Sequence, residues 1–534
     1  MTDQPAGKPT RAPSRAPIRA PKGTRDLYPG DMLRRRYITK AWRDVSIRCG
    51  FEEIDGPTFE AADLYAIKSG EGILGELFQA YSGKSPEEVE QVQASGRAPF
   101  AMRPEFTPTL ARMYAAKANS LPTPCKWFSI GPYFRAERPQ RGRLREFLQW
   151  NVDVIGDWES DDTHAGDLEA LEPLKQFVDA AGLTPAYVRE QRPVLCINSK
   201  KLVADVLVSY GIEHDQVDEM LPILDAAAKV KPEEFQSRVA SIGGNAFAKA
   251  VVKLIGSLHG LDQPEQDFRR RIERPTPEFE ADPRGFSDSL SSLFRLGDQL
   301  HGLGLRGALD QIDFRIVRGL AYYTGTVIEL AVSRERALAG GGRYDNLIEL
   351  MGGPPTPAVG FAMGDVVLEL VLQDRGLMPE GKDLLEAVSA PSASLRPEVF
   401  CIAGGDPEAE APVRRLAADL RRGIESKAHQ DKDDAKPWDR DRYDAASDGV
   451  RPLHARTTYK ATRNLKKLLS DAEKQFARFA AIVHEPDKVQ LKDLDDRTDL
   501  VPADVPSLPR DVANFSVDPG SPVYVGRAVQ ALTH

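Results

Sequence analysis

Apolar and polar positions along this chain change period several times, and each change marks a different element. From Asp31 to Gly50 the residues Met32, Tyr37, Ile38, Trp42, Val45 and Ile47 lie along one side of a helix that stops at Gly50. The run FEEIDGPTFE reads as a short strand with Pro57 near its end. Proline has no ladder donor, so that strand belongs at an edge or an interface. CKWFSIGPYFRAERP and LREFLQWNVDVIG are further strand patterns, and the arginine-rich stretch between them predicts an antiparallel hairpin. Residues from about 200 to 310 carry long helical patterns such as SKKLVADVLVSYGI and SDSLSSLFRLGDQLHGLG, which predict a mostly helical insertion. Strand patterns return at QIDFRIVRGLAYYTGTVIELAV and RALAGGGRYD, so the sheet is expected to be built from pieces distant in sequence.

A break rich in Pro, Ser and Ala, GLMPEGKDLLEAVSAPSASLRP, ends the first unit, residues 21–380, and predicts a linker over 381–397. Strand EVFCIAG, helix APVRRLAADLRRG, helix ATRNLKKLLSDAEKQFARFA and strands AAIVHE and KVQLKDL then predict a separate α/β domain over 398–534. A charge-dense stretch interrupts it at about 425–457. On the second helix, Lys460, Arg463, Lys467 and Lys474 are expected on one face and Leu465, Leu468, Leu469, Ala472 and Phe476 on another. Residues 1–20, a Pro, Ala and Arg repeat without the apolar core of a secretory signal, predict a disordered basic tail.

Composition narrows the class. The 534 residues suffice for about three domains. With 41% hydrophobic and 28% charged positions, and no apolar run near the roughly 20 residues of a membrane span, a soluble protein is expected. Cys49, Cys125, Cys196 and Cys401 form no CxxC pair or disulfide framework, which fits a reducing cytoplasm. The eight histidines show no zinc-ligand spacing, so no metal site is expected. A formal charge of −9 leaves any RNA contact to local basic patches.

Three segments carry candidate chemistry. FRAERPQRGRLREF sets Arg135, Arg138, Arg141, Arg143 and Arg145 in one hairpin loop, where planar guanidinium groups suit the oxygens of a triphosphate; a solvated basic turn is the other reading. RIVRGLAYYTGTVIE places two glycines around a tyrosine pair, consistent with ligand approach to the backbone or simply with core aromatics. GGGRYDNLIELMGG does not open a helix after a parallel strand, so its glycines are no dinucleotide fingerprint.

The order and wording of these segments resemble the histidyl-tRNA synthetase family, from KGTRDLYP at 22–29 to the chain end, with the stretch at 425–457 the poorest match. MRPEFTPTLAR is similar to the family's LRPEGT segment, FRAERPQRGRLREFLQ to motif 2 of class II synthetases, and RGLAYYTGTVIE to the histidine-specific RGLDYYTGTVFE. The resemblance implies an α+β fold: a class II antiparallel sheet flanked by helices, with a helical insertion and a C-terminal α/β anticodon-binding domain. It implies that the chain activates L-histidine with ATP and Mg²⁺, then passes it to the 3′ end of tRNA(His), as a cytoplasmic homodimer whose interface includes the segment around Pro57. Carried over by position, Glu105, Thr107 and Gln149 hold the α-ammonium, Asp153 and Tyr323 the two imidazole nitrogens, and Tyr322 lies beside them. Arg135 and Arg318 flank the α-phosphate, Arg143 and Glu137 meet other parts of ATP, and Phe147 stacks on adenine. The departures are Ala321 for an aspartate, Asp153 for a common glutamate, and Val367 where motif 3 ends in an ATP-binding arginine. A catalytically silent relative, such as the regulatory subunit of ATP phosphoribosyltransferase, is the rival reading; it lacks the RNA-binding C-terminal domain. In this chain the basic helix face at 460–474 would reach anticodon-stem phosphates, or be merely solvated.

Overall fold

The computed structural model describes residues 18–69, 77–156, 164–184, 193–227, 230–257, 265–277, 280–303, 309–314, 316, 323–332, 337–404, 409–444, 449–460, 462–485, 488–500 and 522–532. At its centre stands the expected hairpin. Strands Cys125–Phe134 and Glu146–Ile155 run antiparallel, Cys125 opposite Ile155 and Phe134 opposite Glu146. They belong to an eight-stranded sheet whose order is Glu52–Glu53, Cys125–Phe134, Glu146–Ile155, Ala358–Gly364, Ala339–Arg343, Thr326–Ala331, Val194–Ser199, Leu309–Ile312. Only the two outermost pairings are parallel.

Strand alternation sorts the faces of this sheet. Trp150, Val152 and Val154 point into the main core. There Trp150 stacks on Trp42 at 5.9 Å and meets Phe177 edge-on at 5.7 Å. Trp42 comes from helix Pro29–Arg48, the amphipathic helix read from the sequence, and Phe177 from helix Ala165–Ala180. Phe147, Gln149, Asn151 and Asp153 are left for the other face. The FEEIDGPTFE run divides around Pro57: Glu52–Glu53 joins the large sheet at its edge, while Phe59–Ala61 pairs with Phe100–Met102 in a small three-stranded sheet.

The helical insertion is present as Lys200–Ser209, His214–Asp225, Pro232–Ser257, Glu265–Glu273 and Ser287–Gly302. It starts from a strand that the periodicity did not single out, Val194–Ser199, too short and too fully buried to alternate. The stretch read as a linker holds helix Gly381–Ser389, which packs on Pro29–Arg48 and buries Leu384. Its Pro- and Ser-rich flanks masked it in composition.

The C-terminal sheet has the order Ala455–Thr457, Val399–Ala403, Phe479–Glu485, Lys488–Asp493, Thr498–Leu500, parallel across its first three strands. Helix Glu410–Arg422 stops at Gly423 as the sequence suggested, where a φ of 79° turns the chain out of the helix in a conformation that favours glycine. Two expectations for the next helix are corrected. It spans only Leu465–Lys474, because the Asn464 side chain caps it by accepting from Lys467 N at 3.2 Å. Lys460 and Arg463 therefore precede it, and Lys460 is paired with Asp471 at 2.7 Å. Phe476 leaves the apolar stripe. It adopts φ 60°, is 76% exposed, and presents its carbonyl to Arg396 Nε at 2.9 Å. Leu468 and Ala472 are buried as expected, with Leu465 and Leu469 packed beside them.

The charged stretch joins the two units. Arg442, almost fully buried, donates to Glu425 at 2.9 Å and to the carbonyls of Asp179 and Ala180 at 3.3 Å each. Arg421 of the C-terminal unit is ion-paired with Glu172 of helix Ala165–Ala180, both buried. His454 lies close by. One ring nitrogen contacts the Ser394 carbonyl at 2.8 Å and the other accepts from Arg456 Nε at 3.1 Å, which fixes a neutral tautomer. Burial, with help from Arg456, lowers its pKa to about 3. The unfolded chain takes up this proton from about pH 6.5 downward while the folded chain refuses it, so stability is retained above that pH and falls as pH drops from 6.5 toward 3. Acid titration of the melting temperature should show this loss, at up to about 1.4 kcal/mol per pH unit from this one group. A His454→Gln variant whose pH profile is as steep as the parent's would refute the assignment.

Candidate active site

A cavity of about 690 Å³ lies on the sheet face opposite the tryptophan core. One strand sets out its chemistry in order: Phe147, Gln149, Asn151 and Asp153 alternate along Glu146–Ile155 and all line the cavity. At roughly 3.4 Å per residue, Phe147 and Asp153 stand about 20 Å apart along the strand. Glu105 and Thr107, at the start of helix Thr107–Ala115, close one wall. The Gln149 amide oxygen is buried and accepts no hydrogen bond, so it is an acceptor placed for a donor from a ligand.

At the far end Asp153 is 4% exposed and receives the Tyr344 hydroxyl at 2.5 Å. Burial first, and then the Asp153 anion, push the Tyr344 pKa well up, so its hydroxyl stays protonated and remains a donor. Gly360 faces Asp153 across the sheet, and a Cβ there would lie 2.0 Å from the carboxylate and 2.6 Å from the Val152 carbonyl. Only glycine leaves the carboxylate its place. The next residue in sequence, Asp345, braces the opposite side. It accepts from the Thr324 hydroxyl at 2.8 Å and from Ala358 N at 3.1 Å, and so fixes the turn that carries Tyr323. Arg343 adds an ion pair to the fully buried Asp167 at 2.5 Å. A Cβ at Gly342 would strike the Tyr323 ring at 2.9 Å and the Thr326 carbonyl at 2.5 Å. Gly342 of the glycine run thus makes room for the pocket's Tyr323, and Gly360 on the neighbouring strand for Asp153.

The arginine loop divides. Arg135 and Arg143 line the cavity, Arg135 with its guanidinium 5.1 Å from the centre of the Phe147 ring. Arg143 is ion-paired with Glu137. Arg138 is exposed, Arg141 pairs with Asp374 at 2.8 Å on the surface, and Arg145 donates to the Glu137 carbonyl at 3.1 Å. Arg138 and Arg141 lie as a solvated turn would place them, whereas Arg135 and Arg143 face the cavity. Val367 lines the cavity beside Val366, at the start of helix Asp365–Asp374. Asp365 caps that corner, accepting from Leu148 N at 2.9 Å and pairing with Arg25 at 2.5 Å. Among the described lining residues the cations are Arg135 and Arg143.

Of the sequence-derived site residues, Glu105, Thr107, Arg135, Arg143, Phe147, Gln149, Asp153 and Tyr323 come together here, with Glu137 adjoining through Arg143. Arg318 and Tyr322 lie outside the described residues. Sequence reasoning gave no role to Tyr344, Asp345, Asn151 or Glu329. The RYD that follows the glycine run was the available signal, since a polar triplet inside a buried strand end needs partners.

The sequence profile described as Histidyl-tRNA synthetase matches residues 23–365. A protein of Opitutus terrae named histidine–tRNA ligase is 35% identical over 395 residues, 73% of this chain and 80% of that protein. A second of that name, from Haloarcula marismortui, is 34% identical over 404 residues, 75% and 82% of the two. The crystal structure of histidyl-tRNA synthetase from Nostoc shares the fold, with a TM-score of 0.52 at 20% identity over 94% of this chain and all of that one.

Proposed function

This chain belongs to the histidyl-tRNA synthetase family, and we propose on that premise that it is a histidine–tRNA ligase, with histidine and ATP meeting in the 690 Å³ cavity. The observation that carries the reading is the order along Glu146–Ile155: an aromatic platform, a buried orphan acceptor, then a buried carboxylate, spaced like adenine, ammonium and imidazole. Asp153 accepts one imidazole N–H and Tyr323 meets the other nitrogen, with Tyr322 beside them. Glu105, Thr107 and Gln149 take the α-ammonium. Phe147 receives adenine on the face that Arg135 leaves open, and Arg135, Arg143 with Glu137, and Arg318 surround the phosphates.

The histidine carboxylate is already ionised, so its oxygen attacks the α-phosphorus without a general base and pyrophosphate leaves. Catalysis is alignment plus neutralisation of charge growing on the phosphoryl oxygens, by the arginines and by the Mg²⁺ that arrives with ATP. A terminal ribose hydroxyl of tRNA(His) then attacks the histidyl carbonyl and AMP leaves. With Val367 in the motif 3 position, the phosphate charge falls to Arg135, Arg143 and Arg318 together with that Mg²⁺.

Histidine-dependent ATP–pyrophosphate exchange, followed by charging of tRNA(His), tests the reading directly. Exchange with histidine alone among the amino acids is the expected result. Folded protein without exchange would point instead to the silent regulatory type. The exposed Lys467 and Lys474 are the remaining candidates for anticodon-stem phosphates. Phe59 and Phe100, packed edge-on at 5.9 Å yet 59% and 41% exposed, give the segment after Pro57 an apolar face suited to a second copy of the chain. No helix among the described residues is long and apolar enough to cross a membrane. All four cysteines are free and buried, as suits a cytoplasmic protein.

A further inference from the structure

In the charged stretch, the part of the chain least like the family, the ligand atoms of His429, Asp439 and Asp441 all lie within 4.8 Å of one another. Two short turns bring them together. The Ser426 side chain caps helix Lys427–Gln430 by accepting from His429 N at 3.2 Å. Its hydroxyl donates in turn to the Asp441 carbonyl, which draws the turn Arg440–Tyr443 against that helix. Lys436 N donates to an Asp439 carboxylate oxygen at 3.0 Å and orients that side chain. His429 is fully buried, and its Nδ1 faces both carboxylates, 3.7 Å from an Asp441 oxygen and 4.0 Å from an Asp439 oxygen. These separations are too long for hydrogen bonds, and little above the roughly 3.4 Å between two ligands that each reach one tetrahedral ion at about 2.1 Å.

A cation is already drawn to the spot. Lys432 Nζ lies 2.9 Å from the Asp439 oxygen and 3.5 Å from the Asp441 oxygen. Its side chain is 39% exposed, so the flexible stem can withdraw into solvent. Residues 425–444 carry seven carboxylates against five lysine and arginine side chains, so a dication in place of the ammonium leaves no surplus of positive charge. We propose that His429, Asp439 and Asp441 bind a divalent transition-metal ion of the zinc type, with Lys432 giving up its place and water completing the coordination. One imidazole nitrogen and two carboxylate oxygens suit zinc, whereas magnesium prefers six oxygens. The spacing of histidines and cysteines did not show the site because two of its ligands are aspartates. The ion would tie Arg440–Tyr443 to helix Lys427–Gln430. From that turn Arg442 reaches the Asp179 and Ala180 carbonyls of the first unit, so metal binding favours the docked arrangement. The proposal does not depend on the histidine pocket, which shares none of these residues.

Titration calorimetry of the full chain with zinc chloride, after dialysis against a chelator, tests it. One ion per chain is expected, at a Kd of about micromolar or below. His429 is too buried for a safe substitution, so the partly exposed Asp441 carries the test. Asp441→Asn keeps the shape, removes one anionic ligand, and should weaken binding at least about tenfold. Lys432→Gln removes the competing ammonium and should bind zinc more tightly than the parent, which a mere network of ion pairs would not do. Zinc taken up by neither the parent nor Lys432→Gln would overturn the proposal. So would an affinity unchanged in Asp441→Asn, weaker binding in Lys432→Gln, or magnesium chloride displacing zinc at equal concentration.

Discussion

Asp153→Asn is expected to lower kcat/KM for histidine in pyrophosphate exchange about a hundredfold, nearly all of it through KM for histidine. The carboxylate is buried, held by Tyr344 and walled by Gly360, so on the proposed assignment it would meet the imidazole already oriented. Amide in place of carboxylate keeps the shape and removes the charge, and a hydrogen bond to a buried charged group contributes roughly 1.5–3 kcal/mol. Because the imidazole lies far from the reacting phosphorus, that loss falls on substrate binding rather than on the chemical step, and KM for ATP should change by less than about threefold. Tyr344→Phe leaves the ring and the charge but frees the carboxylate to turn, with a loss of about tenfold. The double variant should be little worse than Asp153→Asn, since the two groups act as one unit. Equal increases in both KM values, or an unaltered histidine KM, would remove Asp153 from the imidazole.

Arg421→Ala is expected to destabilise the docking of the two units by about 3–5 kcal/mol. It would leave the Glu172 carboxylate, on helix Ala165–Ala180, buried at the junction with its cation gone. The pair Arg421→Met with Glu172→Leu should recover most of the loss, because burying two apolar groups avoids desolvating two charges. Urea titration followed by probes in each unit separates undocking from global unfolding, which one melting temperature for a chain of this size does not do. A single variant as stable as the parent, to within about 1 kcal/mol, would show that the pair is not needed for docking.

The hairpin, the helical insertion and the C-terminal α/β unit were legible because each rests on local pattern: alternation along Glu146–Ile155, a 3.6-residue period in Ser287–Gly302, a glycine stop at Gly423. What escaped depends on contacts between distant segments. Val194–Ser199 is buried at its four central positions in a row and has no alternation to read. Helix Gly381–Ser389 is short, and only its packing on Pro29–Arg48 sets it apart from its Pro- and Ser-rich surroundings. Phe476 has the right spacing for the apolar stripe, but the helix has ended before it and the chain has turned. The pocket divides in the same way. Groups that would touch the ligand sit in motifs, whereas Tyr344 and Asp345 act on other side chains, and no spacing in one sequence announces that.

The large sheet pairs Ser199 with Thr326, across the whole helical insertion. A ribosome releases the first strands of that sheet long before the ones that complete it, so the Cys125–Ile155 hairpin must wait, its cavity face open, while the five insertion helices emerge. Helices dominated by local contacts form far faster than strands that close long loops. The insertion would therefore fold first and act as a clasp, drawing its two flanking strands together and shortening the search that finishes the histidine pocket. Built this way, the pocket is among the last parts of the first unit to exist during synthesis, and only the C-terminal unit follows it.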